Sequence, residues 1–350
     1  MSDTITATKG TAQKAESAGS AVIRLLLEGR AFFALILIVA VFSLLSPNYF
    51  TLSNFLIMAS HVAIYGILAI GMLLVILNGG IDLSVGSVLA LSGVCAGALM
   101  QGVELQWAGV ILYPPVWAVV VLTCCLGGLV GAVNGILVAW FKVPAFVATL
   151  GVMYVARGVA LLQTNGLTYN NLSGKADLGN TGFDWLGFNR LAGVPISVLV
   201  LATLAIITAL MLSRSAFGRW LYASGGNERA ADLSGVPVKR VKITVYTLSG
   251  MLAAIAGLVL SSQLTSAGPT AGTTYELTAI AAVVIGGAAL TGGRGTVQGT
   301  MLGAFVIGFL SDGLVIIGVS SYWQTVFTGA VIVLAVLMNS IQYGKGSRKT

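Results

Sequence analysis

The residues able to do chemistry are few, and their spacing excludes most enzymes. The 350-residue chain has one histidine, three cysteines and eleven acidic residues. Cys95, Cys124 and Cys125 lie in apolar runs with no paired histidine, so they read as small hydrophobes and not as metal ligands or disulfide partners. No Gly-x4-Gly-Lys-Ser/Thr loop is present, so the chain lacks that device for holding ATP. His61 is the single histidine, near the outer end of an apolar run, and reads as a packed or interfacial residue, since a proton relay would want partners. No nucleophile–base–acid set or metal cluster can be assembled, so no catalytic residue, cofactor or metal is expected on this chain.

What remains is a small set of polar residues at membrane depth. Asp82 follows the break Asn78-Gly79-Gly80, with apolar runs on both sides. Its carboxylate can cap the helix that restarts after it, and the break can also face a cavity or gate. Arg157 lies about eleven residues into another apolar run, past the middle of a bilayer at about 1.5 Å per residue. A charge there costs at least a few kcal/mol, so it must face protein or water. Thr149, Met153 and Thr164 share its helical face. Arg157 can bond carbonyls of a neighbouring helix or offer donors to a polar solute. Asp82, Asn134, Thr149 and Arg157 are the candidate path residues, with Gln163 a weaker one.

The elements that position these residues are membrane spans. The chain is 57% hydrophobic and only 8% charged, with mean hydropathy +0.96. A soluble domain carries about 25% charged residues. The 45 glycines suit helices whose backbones touch in lipid. Apolar runs predict ten spans, near 31–46, 54–77, 85–101, 116–140, 145–163, 194–213, 243–263, 276–291, 298–316 and 323–341. The net charge of +7 forms no nucleic-acid patch. With the N-terminus inside, fifteen of the 18 basic residues fall on the inner side; Lys175 and Arg190 fall outside. The fold expected is therefore an all-α polytopic membrane protein with both termini cytoplasmic. Residues 1–30 form a polar cytoplasmic tail with no cleavable signal, 31–341 the membrane domain, and 342–350 a basic cytoplasmic tail. Tyr49, Tyr322 and Trp323 read as interface anchors. Residues 164–193 form an outer loop rich in Asn, Gly and Asp, and 214–242 an inner loop.

The inner loop carries a short helix between two breakers. Gly225, Gly226 and Asn227 interrupt the chain and cap a new helix, residues 228–234 are helix-forming, and Gly235 and Pro237 end it. A short helix with small Ala230 and Ala231 suits a groove on a cytoplasmic partner. A weak echo links "GGIDLSVGSVLA" at 79–90 to "GGRGTVQGTMLG" at 292–303; internal repeats are common in transporters.

Four stretches, "NGGIDLSVGSVLALSG", "NGILVAWFKVPAFVATLGVMYVARG", "GRWLYASGGNERAADLSGVPVKRVK" and "VSSYWQTVFTGAVIVLAV", together cover pieces of a match running from about residue 30 to 341. In them the chain resembles the permease subunits of bacterial ATP-binding-cassette importers for monosaccharides, of the ribose, xylose and arabinose type. The resemblance implies a type II importer-like fold in the bacterial inner membrane. It implies that Gly226, Asn227, Glu228, Ala230, Ala231, Leu233 and Gly235 belong to a coupling helix seated in a cytoplasmic cassette ATPase, with Arg229 where the family pattern has Ala. It further implies that ATP is held by that ATPase, that a periplasmic sugar-binding protein delivers the solute, and that two permease copies form a homodimer. An ion-coupled secondary transporter is the alternative, although it would want intramembrane acid or histidine relays. A non-transporting scaffold or receptor would not need glycine-broken spans.

Overall fold

The computed structural model describes residues 29–105 and 109–344. Residues 1–28 and 345–350, and with them most of both expected tails, lie outside the described residues. Twelve helices account for most of the rest: α1 (Arg30–Leu45), α2 (Leu52–Leu77), α3 (Val85–Gln101), α4 (Val116–Ala139), α5 (Ala145–Thr164), α6 (Ile196–Arg214), α7 (Ala216–Gly226), α8 (Glu228–Leu233), α9 (Val238–Leu264), α10 (Tyr275–Ile285), α11 (Val297–Ile316) and α12 (Ser321–Gly344). In lipid, a helix is the one open-ended segment that satisfies its own backbone, which is why each long apolar run folds this way.

Among the described residues six helices are long and apolar enough to cross a membrane: α2, α4, α5, α6, α9 and α11. Ala31–Leu45, Val85–Gln101 and Tyr275–Ile285 are apolar but shorter. α2 is the centre, buried along nearly its whole length and packed against α9, α10, α11 and α6. α4, α5 and α6 keep most of their residues outside the buried core, which places them at the periphery.

Three expectations are corrected. The span expected at 276–291 stops at Ile285. There Gly287 takes φ +93°, and Gly287 and Ala288 donate back to Val284 and Val283, the glycine-terminated ending known as a Schellman motif. Residues 286–296 then continue without helix. Tyr49 is no interface anchor: its ring is fully buried and its hydroxyl donates to the Phe309 carbonyl at 3.0 Å. The inner loop 214–242 is largely helical, made of α7, α8 and the first residues of α9, which begins at Val238.

The expected outer loop is a folded cap. Tyr169 and Asn170 pair with Ala267 and Ser266. Asn180 donates to the Met100 carbonyl at 2.9 Å, and Ser262 to the Phe183 carbonyl at 2.7 Å. Leu172 and Phe183 are buried beneath it. At the opposite end of the bundle lie α7, α8 and the Asn78-Gly79-Gly80 break.

Candidate functional site: a broken-helix hinge and the loop beside it

α2 ends as its sequence requires. Gly79 takes φ +78°, where a side chain would be strained, and Gly79 and Gly80 donate to the Ile76 and Val75 carbonyls. The next residues are tied, one after another, to different helices. The Ile81 carbonyl lies 3.2 Å from Thr149 Oγ1 on α5, which also bonds its own Ala145 carbonyl. Asp82 Oδ1 accepts from Ser84 N at 2.9 Å and Ser84 Oγ at 2.6 Å. Its Oδ2 accepts from Ser249 Oγ on α9 at 3.0 Å. Ser84 Oγ accepts from Asn134 Nδ2 on α4 at 2.9 Å. Asp82 is 1% exposed, so three hydrogen bonds take the place of water around its carboxylate. The arrangement is an Asx turn that starts α3 and pins it to α9.

Arg157 stands apart from this network. Its Nη1 donates to the carbonyls of Pro269 and Ala271, at 2.6 and 2.8 Å. Those carbonyls belong to the non-helical segment between α9 and α10. That segment runs back into the bundle, since Tyr275 packs against Tyr65, midway along α2. Irregular backbone at membrane depth must be satisfied by protein or water, and Arg157 is the satisfying group. Arg157→Ala is expected to leave the protein inserted but to cost about 1–3 kcal/mol of folded stability, the penalty for stranding such acceptors. A lower melting temperature of the detergent-purified protein checks this. Arg157→Lys should recover part of the loss, since an ammonium still donates. An unchanged melting temperature in Arg157→Ala would show that the two bonds carry no stability.

The structure thus gathers Asp82, Asn134 and Thr149 at one hinge and puts Arg157 elsewhere. A cavity of about 660 Å³ opens beside the hinge, lined by Gly80, Lys142, Glu228, Lys239 and Tyr246 among others. The Tyr246 hydroxyl and Asn134 Oδ1 are buried without a partner among the described residues.

The inner-loop residues divide by role. Gly226 ends α7. Asn227 caps α8, its side chain accepting from Ala230 N at 3.0 Å. Gly235, at φ +84°, closes α8, with Gly235 and Val236 donating to Asp232 and Ala231. Glu228 pairs with Lys242 Nζ at 2.8 Å. Arg229, Ala230 and Leu233 point outward, Leu233 being 82% exposed. Ala231, expected on the partner-facing side, is 5% exposed and faces the bundle, because it sits one position round the helix from Ala230.

Three residues of this region were not singled out from sequence, Tyr222, Ser224 and Ser249, and Asn78 was read only as part of the break. Asn78 Nδ2 donates to Ser224 Oγ at 2.9 Å, and the Tyr222 hydroxyl donates to the Gly295 carbonyl at 2.8 Å. Burial raises the Tyr222 phenol above its ordinary pKa, so it stays a donor. The available signal was a lone polar residue beside glycine, as in Ser249-Gly250 and Ser224-Gly225.

A family model described as "Branched-chain amino acid transport system / permease component" matches residues 54–336. The ribose import permease protein RbsC of Escherichia coli K12 is 44% identical over 316 residues, covering 90% of this chain and 94% of its own length. RbsC of Bacillus subtilis 168 is 44% identical over 309 residues, covering 88% and 91%. The xylose transport system permease protein XylH of E. coli K12 is 37% identical over 346 residues, covering 83% and 86%. No solved structure matches the chain. With its apolar helices the likeness makes this a multi-pass inner-membrane protein and a transport subunit, not an enzyme. The chain belongs to the family of transport-system permease components that the model describes.

Proposed function

We propose that this chain forms the membrane path of an ATP-driven importer for ribose or a similar monosaccharide. The observation that carries the reading is the whole-length likeness to ribose permeases, 44% over 90% of the chain. The family model's wording names branched-chain amino acids, but the full-length relatives name ribose and xylose. The chain holds no nucleotide in this reading; ATP sits on a cytoplasmic cassette ATPase that seats against α8. The outward Ala230 and Leu233 support that seat. The folded cap over residues 165–195 is the surface offered to a periplasmic sugar-binding protein. A second permease copy completes the channel.

Ten crossings with both termini cytoplasmic suit this assembly. The six long helices, the three shorter apolar ones and α12 supply the segments, and the one-sided basic residues supply the orientation. For Asp82, Asn134, Thr149 and Arg157 the geometry favours bracing the broken backbone beside the path over contact with sugar. Asp82, Thr149, Asn134 Nδ2 and Arg157 Nη1 spend their hydrogen bonds on protein.

Liposomes holding the permease with its ATPase, given the binding protein and labelled ribose, are expected to accumulate ribose only with ATP inside the cytoplasmic-face compartment. Labelled leucine should not accumulate. Uptake that follows an ion gradient without the ATPase would make the chain a secondary transporter, and leucine uptake would make it an amino-acid importer.

A further inference from the structure

α7 leads into the proposed docking helix α8 through the single residue Asn227. Its last turn is fastened to both breaks in the membrane helices. Ser224, 3% exposed, accepts from Asn78 at the end of α2. Tyr222 donates to Gly295, in the non-helical run before α11. The Leu77 carbonyl accepts from Gly293 N at 2.9 Å. Gly225 lies against that same carbonyl so closely that any side chain would collide with it, and Gly292 abuts both the Gly225 carbonyl and the Gly79 nitrogen. Segments 77–80, 222–226 and 292–295 therefore meet backbone to backbone at Leu77, Gly225 and Gly292, and the Asn78 and Tyr222 side chains tie them further.

Beyond Asn78 the hinge holds one link to each of three helices. Ile81 meets Thr149 on α5, Asp82 meets Ser249 on α9, and Ser84 meets Asn134 on α4. A rigid junction at one end and three fixed links at the other make a continuous physical route from α8 into the bundle. Close-packed contacts of this kind shift as a unit or come apart.

We propose that Asn78 and Ser224 are positioning residues for coupling: their hydrogen bond locks α7 to the hinge, so that a movement of α8 is passed to α4, α5 and α9. The inference rests on the docking of an ATPase at α8. Docking alone does not require it, because neither side chain lies on the exposed face of α8.

The test uses the complete transporter in liposomes, with Asn78→Ala, Ser224→Ala and the double variant. Three quantities are read: ATPase retained on the purified permease, hydrolysis without binding protein, and the stimulation caused by ribose-loaded binding protein. Retention and unstimulated hydrolysis are expected to match the parent. Stimulation should fall about tenfold in each single variant, in line with the loss of one partner of a buried hydrogen bond. The double variant should be no worse than the poorer single one, since all three remove one bond. Asn78→Asp, whose carboxylate can accept from the Ser224 hydroxyl, should keep most of the stimulation.

Full stimulation in both alanine variants would overturn the inference, as would additive losses. So would loss of the ATPase or of the folded permease in these variants, because the bond would then belong to docking or to the fold. Failure of the docking reading shows separately: a Leu233→Asp permease that keeps its ATPase removes α8 as the seat, whatever Asn78→Ala does.

Discussion

Gly131→Leu is expected to leave almost no folded permease. Gly127, Gly131 and Gly135 fall on one face of α4 at four-residue spacing, and α9 lies directly on that face. A Cβ on Gly131 would strike the Tyr246 carbonyl, and one on Gly127 the Gly250 carbonyl. At Gly135 it would stand 2.7 Å from Ile243 Cα. These obstacles are backbone, so no rotamer change relieves them; the helices must separate. Overpacking a core costs about 1–3 kcal/mol when side chains can give way, and more here, where they cannot. Separation would also draw Asn134 from Ser84 and lift Tyr246 off the hinge. The measurement is the yield of monodisperse protein on size exclusion, with its melting temperature. Gly151→Leu is the control, since a Cβ there meets nothing within 4 Å. Equal yield and melting temperature for Gly131→Leu and the parent would refute the close crossing.

The second large effect separates attachment from folding. Ala230→Trp and Leu233→Asp change the outward face of α8, where Leu233 stands 82% exposed. Neither touches the buried bundle, so both proteins should fold and insert. If the ATPase seats here, removing an apolar anchor of this kind should cost roughly 2 kcal/mol, about thirtyfold in affinity. ATPase recovered with the permease should fall accordingly, and ribose uptake with it. Ala231→Trp should behave differently and damage the permease itself, because Ala231 faces inward. If both outward variants hold the ATPase and transport fully, α8 is only a connector.

Much of this was legible in sequence because the signals are local. The α2 break needs Gly79 for its positive φ, and α8 needs Asn227 before it and Gly235 after it. Each requirement is met by a residue type at a fixed offset. What failed depended on contacts distant in the chain. Tyr49 resembles any interfacial tyrosine until Phe309, 260 residues away, takes its hydroxyl. Ser224 and Ser249 are single polar residues that sequence reads alike, whether they face lipid or a partner. Arg157 was readable as a charge needing cover, but its partners could not be read, since Pro269 and Ala271 offer only backbone. The likeness between 79–90 and 292–303 rested on few identities, yet Gly79 and Gly292 touch. In both stretches a glycine near the start of the following helix, Gly86 or Gly299, meets a neighbouring carbonyl.

The brevity of α10 bears on how the protein is made. Eleven residues span about 16 Å, roughly half of a hydrocarbon core of about 30 Å. A translocon releases a segment to lipid when it can cross and bury its own backbone, and α10 with its non-helical flanks can do neither alone. Its buried face rests on α2 and α11, and the carbonyls ahead of it rest on Arg157. Residues 265–296 must therefore settle after the surrounding helices are in the bilayer, held until then by α9 behind and α11 ahead. Biogenesis of this subunit ends not with the last residue synthesised but with the seating of this broken, part-helical crossing.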